Sequence, residues 1–147
     1  IIRELLSFEP TEPATNIGTA LEYLNHVQKK RAIVFLISDF IDSGYDAALK
    51  IVGKRHDLIG IVLQDPRERT LPNAGIIRVR DAETGTFRFL DTMDSRSRLI
   101  YQKFRERAAA ERHTLFLKSR LDEVLINVDQ PYIKPLADFF RLREQRL

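Results

Sequence analysis

The run Ala32-Ile33-Val34-Phe35-Leu36-Ile37-Ser38, followed at once by Asp39, decides the fold. Seven residues without a charge, four of them Ile, Val or Phe, read as a β-strand covered on both faces, as in a parallel sheet. A second such run, Leu58-Ile59-Gly60-Ile61-Val62-Leu63, ends just before Gln64 and Asp65. Between them, Asp39 to Ser43 carries turn residues and Tyr45 to Lys54 reads as a helix. Strand, helix, strand makes a βαβ unit with a right-handed crossover.

Working towards the N-terminus, Ile17, Ala20, Leu21, Leu24 and Val27 recur at helical spacing and mark one buried face. Thr15 or Asn16 is placed to cap that helix. Phe8 to Ala14 holds Pro10 and Pro13 and reads as a loop, and Ile1 to Leu6 as the tail of a helix. Towards the C-terminus, Pro66 and Pro72 make Gln64 to Ala74 a loop. Ile76–Arg80 and Thr86–Leu90 flank Asp81-Ala82-Glu83-Thr84-Gly85, which predicts a β-hairpin (about residues 76–90) attached at the sheet's edge, with Gly85 at positive φ. A long helix follows from Asp94 or Ser95 to about Arg120. Val124–Val128 reads as a short third parallel strand, and Pro131 opens a last helix through Phe140. The prediction is an α/β chain around a Rossmann-type parallel sheet, with helices on both faces and a hairpin insertion, forming one domain over residues 1–147.

Composition narrows the chemistry. Hydrophobic residues are 44% and charged residues 31% of the 147, an ordinary globular mixture. There is no cysteine, which excludes disulfides, thiolate zinc sites and a cysteine nucleophile. The only methionine is Met93, so Ile1 is not an initiator and we expect a piece of a longer protein. No apolar run approaches the roughly 20 residues that cross a bilayer. Net charge is +3, unevenly spread. Arg96, Arg98, Lys103, Arg105, Arg107, Arg112, Lys118 and Arg120 meet only Glu106 and Glu111 along the long helix. A basic helix suits nucleic acid, acidic lipid or an acidic protein face, but mixed charge on a solvated surface is its plainest meaning. Tyr101, Phe104 and Phe116 read there as core.

In open parallel sheets ligands sit beyond the carboxyl ends of the strands. Asp39 and Asp42 follow the first strand, Asp65 the second, and Thr15 heads the preceding helix. A hydroxyl and carboxylates on one rim are the oxygen donors that Mg²⁺ prefers. They also serve plain structural ends, since Thr caps helices and Asp satisfies turn amides. His26, His56 and His113 have no partners at catalytic spacing, so Arg55-His56-Asp57 reads as a structural turn.

The run Ala14-Thr15-Asn16-Ile17-Gly18-Thr19-Ala20-Leu21 resembles the threonine loop of von Willebrand factor A domains, and Phe35-Leu36-Ile37-Ser38-Asp39-Phe40 resembles their next strand. More closely, the chain resembles the bacterial family DUF fifty-eight, which has a von Willebrand A-like domain. The matching marks are Phe8-Glu9-Pro10-Thr11, Ser38-Asp39-Phe40, Arg55-His56-Asp57, Asp65-Pro66 with Glu68, Leu71-Pro72 with Gly75, Asp81 with Glu83-Thr84-Gly85, and Phe139-Phe140-Arg141. The resemblance implies a metal-ion-dependent adhesion site in which Thr15 and Asp39 are metal ligands and Asp42 and Asp65 form the rim. Its first motif, Asp-x-Ser-x-Ser, is missing from this chain, because Asp94-Ser95-Arg96-Ser97 has the wrong spacing and opens a helix. The domain is therefore expected to be truncated, and to bind Mg²⁺ weakly. The resemblance also implies a non-enzymatic, cation-assisted protein-binding module that works with a MoxR-type AAA+ ATPase, in the cytoplasm or on the cytoplasmic side of a membrane. A metal-dependent hydrolase using Asp39, Asp42 and Asp65 and a nucleic-acid binder using residues 96–120 are the alternatives, nucleic acid being the less expected partner. The 32–38 strand should lie at an open edge and pair with another copy of the chain.

Overall fold

The computed structural model of the chain describes Ser7, residues 15–80 and residues 85–145. Its element order is α1 (Ile17–Val27), β1 (Ile33–Ser38), α2 (Asp46–Arg55), β2 (Asp57–Gln64), a 3₁₀ turn (Pro66–Glu68), β3 (Ile76–Arg80), β4 (Phe87–Asp91), α3 (Ser95–Ser119), β5 (Asp122–Asn127) and α4 (Ile133–Glu144). The helix tail expected over residues 1–6 and the loop over 8–14 lie outside the described residues, as does the hairpin tip at 81–84.

Three strands form a parallel sheet in the order β1-β2-β5. Ser38 pairs with Val62 and Gln64 with Asn127, so the carboxyl ends of all three strands share one border. Strand alternation sends Val34, Leu36, Leu58 and Val62 to one face, where they meet Ile17, Leu21, Leu49, Val52 and Phe116 from α1, α2 and α3. The opposite face carries Ile59, Ile61, Val124 and Ile126, covered by Leu136 and Phe139 of α4. The chain is thus a mixed α/β fold with helices on both sides of a short parallel sheet.

One close approach sets the spacing of these layers. A Cβ built on Gly60 would fall 2.5 Å from the ring of Phe116, which is 1% exposed. The missing side chain lets α3 descend onto β2, and the ring packs edge-on to Phe40 with centroids 5.5 Å apart.

Three expectations are corrected. The 32–38 strand is not covered on both faces: β1 pairs with β2 alone among the described residues, and Ile33, Phe35 and Ile37 are exposed, because Leu136 and Phe139 of α4 pack on β2 and β5, while Phe140 meets the ring of Phe35. The hairpin does not extend the sheet's edge. β3 and β4 pair antiparallel as a separate sheet. Thr92, fully buried, ties its base: the hydroxyl donates to Gly75 O at 2.6 Å and accepts from Ala74 N at 3.0 Å. Gly85 does adopt positive φ, at 68°. Phe104 is 66% exposed, so of the aromatics expected in the core along α3 only Phe116 is buried there. Among the described residues no helix is long and apolar enough to cross a membrane.

Candidate functional site

The segment after β1 has an unusual backbone. Phe40 sits at φ 57°, a conformation that bulky residues rarely adopt. Its ring is buried against Tyr45 and Phe116, and its amide donates to Ser38 Oγ at 3.0 Å. Driving Phe40 inward turns its neighbours Asp39 and Ile41 outward. Asp39 Oδ1 accepts from Ile41 N at 3.1 Å, an Asx turn that fixes the carboxylate at the strand's end.

Asp42 joins two elements. Its Oδ2 accepts from Ile17 N at 2.7 Å and its Oδ1 from Ser43 N at 2.7 Å. The first bond draws the start of α1 to the carboxyl border of β1. Asn16, rather than Thr15, caps the helix, its side chain accepting from Thr19 N at 2.8 Å. Thr15 therefore stands on the same border as Asp39, two residues before the tethered amide. Asp65 caps the 3₁₀ turn, its Oδ1 accepting from Arg67 N at 2.9 Å.

Asp39, Asp42 and Asp65 all line one cleft of about 740 Å³, whose far wall is α3 and the flank of β5. Thr15 is not among its lining residues. The wall is held by contacts invisible in the sequence. Tyr101 Oη donates to Glu68 O at 2.8 Å and Arg105 pairs with Glu68 at 3.2 Å, clamping the 3₁₀ turn to α3. Arg112 pairs with Glu123 of β5 at 2.7 Å, with both side chains nearly buried, and His113 Nδ1 meets the other Glu123 oxygen at 2.9 Å. Burial pushes the Tyr45 phenol above its ordinary 10.0, with Arg112 acting in the opposite direction. Glu106, Arg112, His113 and Glu123 are among the cleft residues that our reading did not place there; the acids on and after α3 were the available signal, but pairing across elements leaves no periodic trace.

Four of the eight basic residues between Arg96 and Arg120 are engaged within the protein. Arg105 and Arg112 are paired as described, Arg107 pairs with Glu111 at 2.7 Å, and Arg98 donates to Met93 O at 2.9 Å. At the other end of the sheet, the Arg55-His56-Asp57 run is engaged in structure. Arg55 binds Asn25 and Lys29 carbonyls, buried His56 accepts from Ala32 N at 3.3 Å, and Asp57 binds Arg143.

The oxygens brought together do not by themselves complete a metal site. Among the described residues no three of His, Asp and Glu converge for an ion. Both oxygens of Asp42 accept backbone amides, so the described carboxylates fall short of the near-octahedral oxygen shell of Mg²⁺.

Comparison with known proteins gives kinship without a function. An uncharacterized protein of Mycobacterium avium is 33% identical over 134 residues, covering 88% of this chain and 77% of that protein. Uncharacterized proteins of Mycobacterium bovis and Mycobacterium tuberculosis are each 30% identical over 74 residues, covering 50% of this chain and 23% of theirs. The chain thus spans less than a quarter of these two relatives. No solved structure matches it. The family described as protein of unknown function DUF58 matches residues 1–114, and the chain belongs to that family.

Proposed function

We propose that this chain is a protein-binding module on a von Willebrand factor A-like framework, whose partner docks at the carboxyl ends of β1 and β2. The observation that carries the reading is the Ile17 N to Asp42 Oδ2 bond, which ties the start of α1 to the border bearing Asp39. Parallel strands in the order β1-β2-β5 with helices on both faces support the framework. In this reading Mg²⁺ assists docking only when oxygens from outside the described residues join Thr15 and Asp39, and Asp42 and Asp65 shape the rim. No catalytic step is part of this proposal.

The resemblance to DUF58 proteins nominates a MoxR-type AAA+ ATPase as partner, encountered in the cytoplasm or at the cytoplasmic face of a membrane. The activity and partners of the whole protein are part of this proposal. A second copy of the chain is proposed at the open border of β1, where Ile33–Ser38 carries no charge to repel an identical edge.

The test is capture of a purified MoxR-type ATPase by the natural protein, in Mg²⁺ and in EDTA. Capture that needs Mg²⁺ and disappears in Asp39→Ala supports the proposal. Capture indifferent to both changes, or none at all, defeats it.

A further inference from the structure

We infer that the cleft beside the rim receives a partner segment presenting a Lys or Arg next to an apolar side chain. The inference rests on the protein-binding reading and names the chemistry of the partner. At about 740 Å³, the cleft is in the range of roughly 300–1,000 Å³ that encloses a small ligand or a few side chains. Ile41, Phe104 and Leu125 line it and are at least half exposed. Three large apolar groups facing one concavity are a docking surface in search of apolar contact.

Charge selects the rest of the occupant. The cleft's cations are mostly committed: Arg105 to Glu68, and Arg112 to Glu123, which also meets His113. Four of its five carboxylates have no ion-pair partner among the described residues. Among the described residues, Asp39, Asp42 and Asp65 accept hydrogen bonds from backbone amides and a neighbouring hydroxyl alone, and Glu106 accepts from Gln102 at 2.8 Å. Arg69 is the one lining arginine without a carboxylate partner among the described residues. Four uncompensated carboxylates against one cation make this cleft locally negative on a chain whose net charge is +3. A cationic side chain gains there, whereas an acidic segment or a nucleic-acid phosphate is repelled.

The probe is a short fluorescent leucine–lysine peptide, compared by anisotropy with a leucine–glutamate peptide of equal length and a single-stranded oligonucleotide. The lysine peptide should bind, and raising salt should weaken it. The double variant Asp65→Asn, Glu106→Gln should lower its affinity roughly tenfold, as two exposed charge pairs would. Phe104→Ser should weaken it through lost apolar contact. These substitutions lie at exposed or half-exposed positions, and an unchanged thermal melt checks that the fold is intact. Equal or tighter binding of the glutamate peptide or the oligonucleotide, or an unmoved affinity in the double variant, overturns the inference. ATPase capture that depends on Asp39 without lysine-peptide binding removes this inference alone. Peptide binding alongside capture indifferent to Asp39 and Mg²⁺ removes the rim reading alone.

Discussion

Replacing Gly60 with alanine should loosen the joint between α3 and the sheet. The added methyl would lie 2.5 Å from two atoms of the Phe116 ring, against 3.4–4 Å for ordinary contact, so the ring or the helix must move by about 1 Å. That ring is 1% exposed and wedged against Phe40, which leaves little room to yield. Overpacking of this kind costs about 1–3 kcal/mol. It is partly offset by the ~0.5–1 kcal/mol that alanine gains over glycine within a strand. The net loss of about 1–2 kcal/mol should lower Tm by roughly 3–8 °C for a chain of this length. Melts followed by circular dichroism on Gly60→Ala, Phe116→Leu and the double variant read both the loss and its cause. If the clash is the cause, Phe116→Leu should cost at least about 1 kcal/mol less in the alanine background than alone. An increase in Tm for Gly60→Ala, or strictly additive losses, would refute the reasoning.

Other outcomes follow from particular contacts. Asp42→Ala should cost about 1–2 kcal/mol through two orphaned amides and speed hydrogen exchange in the first turn of α1; Asp42→Asn should recover part of this. Glu123→Gln leaves nearly buried Arg112 without its anion and should cost about 3 kcal/mol in a urea titration, while Glu111→Gln, on the solvated side of α3, should cost less than about 0.5 kcal/mol. The Ser97 hydroxyl and Arg96 amide lower the pKa of Asp94 below 3.8. Its contribution is therefore present above that value and lost as pH falls through the lower folded value, so Asp94→Asn should flatten the acid limb of a Tm–pH curve. Light scattering should find self-association of the chain, and Phe35→Glu on the open face of β1 should reduce it.

Much of this was legible from the residues. The two uncharged runs specified parallel strands, the 3.6-residue repeat from Ile17 to Val27 gave α1, and Gly85 marked the hairpin. Carboxylates just after buried runs fell on a common border because parallel strands must end together. What the sequence concealed was relational. An apolar run states that its residues avoid water, not how many neighbours cover them, so the bare face of β1 was missed. The pairing of Arg105 and Arg112 could not be read from the basic stretch itself, because their acidic partners, Glu68 and Glu123, lie on other elements. Asp42 was expected only to shape the rim, because a carboxylate that tethers a distant helix and one that lines an opening obey the same local rule.

Phe40 gives the cleft a mechanical property. A ring this large, held at φ 57°, rests in a backbone state costing about 1–3 kcal/mol, balanced by its seat between Tyr45 and Phe116. The turn is cocked by the interior rather than by its own preference. Loosening that seat from below would let the peptide relax and swing Asp39 and Ile41 away from the opening, so a substitution deep among the aromatics could silence the mouth without touching it.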